Sequence, residues 1–382
     1  MINAKYRKCV NGEIDKIIEV ADKSFLPDRY KNFSFRTSVP QIYDNKIIDY
    51  SSSHFIAENE RGFVAVVGNL IDSITAQKDS FKMSRIGTVG TIPEERGRGH
   101  MKNLMQLVDK ENINGNVDFS VLNGKRNRYL NYGYERGGFS CDYYFDLQQK
   151  AYIKKEFDLK IIPFNRIELD DLYTIYLQNI KPVLRSKDNF ENFTNNSVNE
   201  LYSIFENEKV IGYLTIKRNR TVTELACLNK KYFASVISIL LNSDKLNFET
   251  NKYNDKYFIV EANLLQSELC DELDKICNNK VITDSYSIKV YNVKNFIKFV
   301  YSLNQSCVKH EITEAYNIAG TTYLLNVKNQ RLILDENASC CANKDFNKLQ
   351  DFVQFMLGNK NFADYKSQIF PLKFGLNSLD LF

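Results

Sequence analysis

Chemistry in this chain concentrates at one short stretch, Glu94-Glu95-Arg96-Gly97-Arg98-Gly99-His100-Met101-Lys102. Its two glycines let the backbone come close to a ligand, and its two arginines put positive charge beside it. The first N–H groups of a helix have no intrahelical acceptor and lie at the positive end of the helix dipole. A glycine-bearing turn that enters a helix therefore suits a phosphate or diphosphate. Two common phosphate loops do not fit: GxxxxGK[ST] is absent, and a GxGxxG fingerprint fails because Gly97 and Gly99 are followed by His100, Met101 and Lys102.

Such a turn works only between a strand and a helix. Arg85 to Ile92 is rich in β-branched residues, alternates, and stops at Pro93, which predicts the strand. From His100 onward Met101, Leu104, Met105 and Val108 recur at helical spacing and predict the helix. Upstream, Asn11 is placed to cap a helix with an Ile14, Ile17, Ile18 and Ala21 stripe, and His54–Ala57 with Phe63–Val67 reads as a hairpin. Downstream, Val117 to Leu122 is an apolar strand leading into a short helix that carries Tyr129 and a turn at Gly133.

A fainter copy of this order follows. Leu159–Pro163 predicts a strand, Glu168–Leu177 a helix, and Leu201–Phe205 with Val210–Ile216 a hairpin. Thr221–Leu228, Phe233–Leu241 and Tyr257–Ala262 read as strand, helix and strand. The turn between the first two of these is Asn229-Lys230-Lys231-Tyr232, with no glycine to admit a diphosphate. From Tyr286 the pattern changes: a strand at Ile288–Val293, a helix through Val300, a hairpin around Lys328-Asn329, and an amphipathic helix over Phe346–Leu357. The last stretch, Ile369 to Phe382, is apolar enough to require packing against something.

The bulk properties narrow the classes. The chain has 382 residues, a formal net charge of +4 and three histidines far apart in sequence, so neither nucleic acid nor a metal centre is expected. No apolar run approaches a membrane span of about 20 residues, and Met1–Ile14 lacks a signal-peptide core, which predicts a cytoplasmic protein away from membranes. Eight scattered cysteines without CxxC read as reduced thiols. No GxSxG is present, which argues against a serine hydrolase.

The turn's Arg-x-x-Gly pattern at Arg96 and Gly99 resembles the pyrophosphate loop of the GNAT N-acetyltransferases, with Met101 standing where a small residue is usual. Together with the RYLNYGY segment around Tyr129, SIKVYNVKNFI, and the terminal Phe382, the chain resembles the Eis-type acetyltransferases. The resemblance implies a mixed α/β (α+β) protein of tandem GNAT folds, the second degenerate, plus a C-terminal sterol-carrier-protein-like (SCP2-like) domain, divided at 1–148, 149–285 and 286–382. It also implies acetyl-CoA as acyl donor, no metal, an amine acceptor (aminoglycoside-, polyamine- or lysine-like) and a homo-oligomer, hexameric in the family. Carried over by residue, Val89 and Thr91 would contact the donor along the strand, and Arg96, Gly97, Arg98, Gly99, His100 and Met101 would hold its pyrophosphate. Tyr129 takes the place of the general acid and the α-carboxylate of Phe382 that of the base. Glu58, Glu94 and Glu95 are reserve bases, and Lys125, Arg126 and Arg128 form a basic run that could reach the CoA 3′-phosphate. The competing reading is a catalytically silent protein that binds CoA or a lipid through the SCP2-like domain.

Overall fold

The computed structural model describes residues 4–25, 34–179, 185–217, 221–243, 249–250, 256–284, 286–308, 310–358 and 366–374. The first run of elements is β1 (Lys5–Lys8), α1 (Ile14–Phe25), α2 (Phe35–Ser38), α3 (Pro40–Tyr43), β2 (His54–Asn59), β3 (Gly62–Ala76), β4 (Asp79–Thr91), α4 (His100–Asn114), β5 (Phe119–Leu122), α5 (Arg126–Tyr129) and β6 (Glu135–Arg136). α1 buries Ile17, Ile18, Val20 and Ala21 on one face and packs on β3 and β4. The side chain working at its start is Glu13 rather than Asn11. Glu13 accepts the Val10 N–H at 2.9 Å and both terminal nitrogens of Arg7 at 2.9 and 2.8 Å.

β3 and β4 form one long hairpin of fifteen and thirteen residues, well beyond the predicted Phe63–Val67 and Arg85–Ile92. Polar residues interrupt the apolar alternation in the added parts, but they are paired inside the fold. Ser84 donates to Asn69 at 2.5 Å, Asn69 donates to Asn112 of α4 at 3.0 Å, and buried Arg85 meets Asp72 at 2.6 Å.

The second run comprises β7 (Ser140–Asp146), β8 (Leu159–Pro163), α6 (Leu169–Asn179), α7 (Lys187–Thr194), β9 (Asn199–Glu206), β10 (Lys209–Lys217), β11 (Thr221–Cys227), α8 (Phe233–Leu241), β12 (Glu249–Thr250), β13 (Lys256–Asn263), α9 (Ser267–Ile276) and β14 (Asn279–Thr283). The third comprises β15 (Ser287–Val290), α10 (Val293–Asn304), β16 (Ile312–Ile318), β17 (Thr321–Lys328), β18 (Arg331–Glu336), β19 (Lys344–Phe346) and α11 (Leu349–Met356). Phe346, expected in the last helix, instead closes β19, where it pairs with Ile318 of β16.

Three sheets result, ordered β1-β2-β3-β4-β5-β15-β6, then β14-β7-β13-β11-β10-β9-β8, then β18-β17-β16-β19. The first two exchange strands along the chain. β7 follows β6 directly yet lies in the second sheet, whereas β15, from the third run, enters the first sheet between β5 and β6. Ile288 and Val290 point into the core, while Lys289 and the Tyr291 phenol both reach Asp109 of α4, at 2.6 and 2.7 Å. Where the first unit has its glycine turn, the second has a short 3-10 turn, Lys230–Tyr232, capped by Asn229.

The apolar C-terminal stretch is packed as expected as far as it is described. Ile369, Phe370, Leu372 and Phe374 are buried in the core of the third unit. Phe374 is fully enclosed by Phe119, Tyr286, Phe296 and Phe299, and its carbonyl accepts the Phe139 N–H at 3.0 Å. Residues 375–382, including Phe382, lie outside the described residues. All eight cysteines are free. Among the described residues no helix is long and apolar enough to cross a membrane, and no group of three His, Cys, Asp or Glu side chains could hold a metal ion.

Because Phe374 bridges the third unit and β5, Phe374→Ala should cost about 3–5 kcal/mol. Urea unfolding read by circular dichroism should show a lowered midpoint with an unchanged slope.

Candidate functional site

β4 and β5 run parallel, but they pair only from Met83 to Ile86 against Phe119 to Leu122. Past Ile86, β5 ends and the outer edge of β4, residues 87–91, has no strand beside it among the described residues. A parallel edge with unpaired N–H and C=O groups is a template for an extended ligand with amides of its own. Val89 and Thr91 lie on this stretch, half-buried.

The same stretch carries a β-bulge that the sequence did not announce. Val66 pairs with Gly90 and Gly68 with Gly87, so Val67 faces both Thr88 and Val89. Thr88 sits at φ +49°, a left-handed conformation that a β-branched residue adopts only at a cost of about 1–3 kcal/mol. Its hydroxyl meets the Tyr43 phenol, which lies 3.0 Å from His54 Nε2, and His54 Nδ1 is 2.8 Å from the Tyr50 carbonyl. Two residues on, Gly90 is needed for packing, since a Cβ there would stand 2.7 Å from the Ser24 Cβ of α1.

The turn runs from Pro93–Glu95, a single 3-10 turn, to Gly99, the left-handed cap of α4. Gly97 and Gly99 have φ of +79° and +82° with open space where a Cβ would be, so backbone conformation rather than crowding selects glycine. The first N–H of this region bonded to backbone is that of Asn103, to the Gly99 carbonyl at 3.2 Å. The N–H groups of residues 97–102 have no hydrogen-bond acceptor among the described residues. Those of Gly99 to Lys102 are the four orphan donors at the start of α4, a position that suits an anion.

The structure separates the side chains expected there. Arg96 donates to the Ser24 carbonyl at 2.8 Å and to the Thr91 carbonyl at 3.3 Å, while its own N–H goes to Pro93 at 3.3 Å. It braces the turn against α1 through two of its five N–H donors, and the side chain is otherwise exposed. Arg98 is half-exposed, 3.2 Å from the buried Glu95 carboxylate. The His100 ring is also buried, with Nδ1 2.9 Å from the Tyr6 hydroxyl and Nε2 3.2 Å from Glu95. His100 therefore offers the outside only its N–H. Met101 turns partly inward onto the apolar cluster of Leu104, Met105 and Val108.

Tyr129 belongs to that same cluster, as do Val89 and Ile92. It is 5% exposed, and its ring meets Tyr134 edge-on at 6.3 Å between centroids. Burial pushes its phenol above the ordinary value of 10, with Arg128 pulling the other way, so it stays protonated at neutral pH. Gly124 makes room for the ring, since a Cβ there would lie 2.5 Å from Cε2. In the neighbouring basic run, Arg126 is paired with Glu135 through two 2.5 Å hydrogen bonds. Lys125, Arg126 and Arg128 are all exposed. Of the reserve bases, Glu58 accepts from Arg7 at 3.1 Å, Glu95 is buried among Arg98, His100 and, at 3.8 Å, Arg61, and Glu94 is exposed. Tyr6, Tyr43 and His54 were missed, because long-range pairing leaves no mark on local spacing.

A strand that parts from its neighbour, a bulge at the parting and a glycine turn entering a helix lie along one line of the first unit. Residues 5–137 match the family model of the acetyltransferase (GNAT) domain, and this part of the chain is such a domain. Over more than nine-tenths of its length the chain shares its fold with solved structures of this kind. A probable N-acyltransferase of unknown function from Enterococcus faecalis matches with TM-score 0.66 at 14% identity, over 94% of this chain and 90% of its own. A GCN5-related N-acetyltransferase from Anabaena variabilis matches with TM-score 0.66 at 15% identity, over 92% and 89%. Eis1 from Mycobacterium abscessus matches with TM-score 0.60 at 11% identity, over 94% and 90%. No curated protein sequence matches significantly.

Two measurements follow. Gly124→Ala should displace the Tyr129 ring and lower turnover about tenfold while CoA affinity by calorimetry stays within about twofold. His54 is fully enclosed, and burial lowers its folded value from 6.5 to about 4. Its contribution to stability is present above pH 6.5 and is lost as pH falls from 6.5 toward 4, by roughly 3 kcal/mol in total. Denaturant midpoints across that window should fall more steeply for the wild type than for His54→Gln.

Proposed function

We propose that the protein transfers the acetyl group of acetyl-CoA to a primary amine. The observation that carries this is the open edge of β4 leading straight into six unsatisfied N–H groups at residues 97–102. The pantetheine arm would lie along residues 87–91 beside Val89 and Thr91, pairing with backbone groups there that Arg96 does not already engage. The pyrophosphate would sit on the N–H groups of Gly97, Arg98, Gly99, His100 and Met101, with Arg98 free to turn from Glu95 toward it. Arg96 serves by bracing the turn against α1.

The chemistry is a direct attack. A neutral amine adds to the thioester carbonyl, forms a tetrahedral intermediate, and expels the CoA thiolate as the carbonyl reforms. Tyr129 donates its proton to that thiolate, which its buried, protonated phenol suits. The base that takes the amine proton is assigned, by the resemblance, to the α-carboxylate of Phe382. Its support is the anchoring of Phe374 at Phe139, a short way along the chain from Tyr129. The acceptor class is an aminoglycoside-, polyamine- or lysine-like amine. We further assign the third unit to the SCP2-like type, and a cytoplasmic homo-oligomer as the working form.

Purified protein given acetyl-CoA and a panel of such amines should release free thiol, read with a thiol-reactive dye. Tyr129→Phe should lower turnover roughly 100-fold or more with CoA binding retained. No thiol release across the panel, together with no CoA binding by calorimetry, overturns the reading.

A further inference from the structure

We infer that Tyr43, backed by His54, is a positioning residue that fixes the β4 bulge and thereby sets where the thioester lies relative to Tyr129. The inference rests on the acetyl-transfer reading above and adds to it a device on the opposite face of the sheet.

Thr88 is the residue that bends β4 at the parting of the strands, and it does so at φ +49°. Glycine occupies both Gly87 and Gly90, so the sequence places glycine freely here, yet the left-handed position itself is a threonine. A threonine in that conformation needs a compensating contact. The compensation is its hydroxyl, bonded to the Tyr43 phenol inside the cluster beneath α1. Tyr43 and His54 are 2% and 0% exposed, so water does not compete for these bonds.

The chain of bonds has only one consistent direction. A carbonyl oxygen accepts, so His54 Nδ1 must donate to the Tyr50 carbonyl at 2.8 Å. In the neutral ring Nε2 then accepts, and it takes the Tyr43 proton at 3.0 Å. The phenol oxygen is left as acceptor for the Thr88 hydroxyl. A fixed order of donors gives the bulge one arrangement rather than several. Thr88 is thus held from the α1 side, while Val89, next along the bulge, packs on the α4 side in the cluster that contains Tyr129. Tyr43 touches neither donor nor acceptor substrate in this account; it acts through the backbone at residues 88–89.

The test uses the full chain with Tyr43→Phe, Thr88→Val and the double variant. Each single variant should lower kcat about tenfold, with KM for acetyl-CoA and the calorimetric CoA affinity within about twofold. Because both act through one bond, the double variant should be no slower than the worse single one. Hydrogen exchange without substrate should quicken in peptides covering residues 86–91 for Tyr43→Phe. An unchanged kcat, a parallel fall of kcat and CoA affinity, or additive effects in the double variant overturns the inference. A wild type that releases no thiol with any amine refutes the acetyl-transfer reading instead. The exchange measurement then decides alone, and unaltered exchange at 86–91 overturns the role of Tyr43.

Discussion

A parallel pairing that lasts from Met83 to Ile86 and then stops governs this molecule. Continued pairing of β4 and β5 would satisfy the backbone of residues 87–91 and leave no slot. Its end exposes that edge, and the loop after β5 then has room to bring Tyr129 back toward it. The bulge at Thr88 and Val89 is sited at the parting itself, where added twist draws the two strands apart. The glycine turn at the end of β4 carries on from that edge into the start of α4.

Polar side chains near this surface hold the backbone in place. Arg96 ties the turn to the end of α1, Glu95 gathers Arg98 and His100, and Tyr43 secures Thr88. Beneath the glycine turn lies a buried carboxylate, Glu95, neighboured by Arg61, Arg98 and the His100 ring. The charge it adds is offset locally, and the N–H groups remain the surface that faces outward.

Much of this was legible in the residues. The strand into Pro93, the apolar stripe from Met101 to Val108 and the paired glycines fix strand, helix and turn from local rules. The short helix carrying Tyr129 and the missing glycine after Leu228 were visible in the same way. What escaped was set by distance along the chain. The long hairpin from Gly62 to Thr91 hid behind Asn69, Asp72 and Ser84, which read as exposed until Asn112 and Arg85 are placed beside them. Arg96 also braces the turn through the Ser24 carbonyl, a partner that nothing near it in sequence reveals. Phe346 was drawn into a helix by its spacing, and the pairing with Ile318 that makes it a strand residue is nonlocal.

The placement of β15 between β5 and β6 has a consequence for how the chain is born. Ser287–Val290 leaves the ribosome about 150 residues after the strands it joins. Until then the nascent first sheet carries two open borders, at β5 and at β6, and β6 has no other partner in the sheet. Closure over so long a loop is slow and leaves those borders open to stray pairing meanwhile. The N-terminal unit thus matures only once the chain through Val290, about three-quarters of its 382 residues, has been made, which ties its assembly in time to that of the other two units.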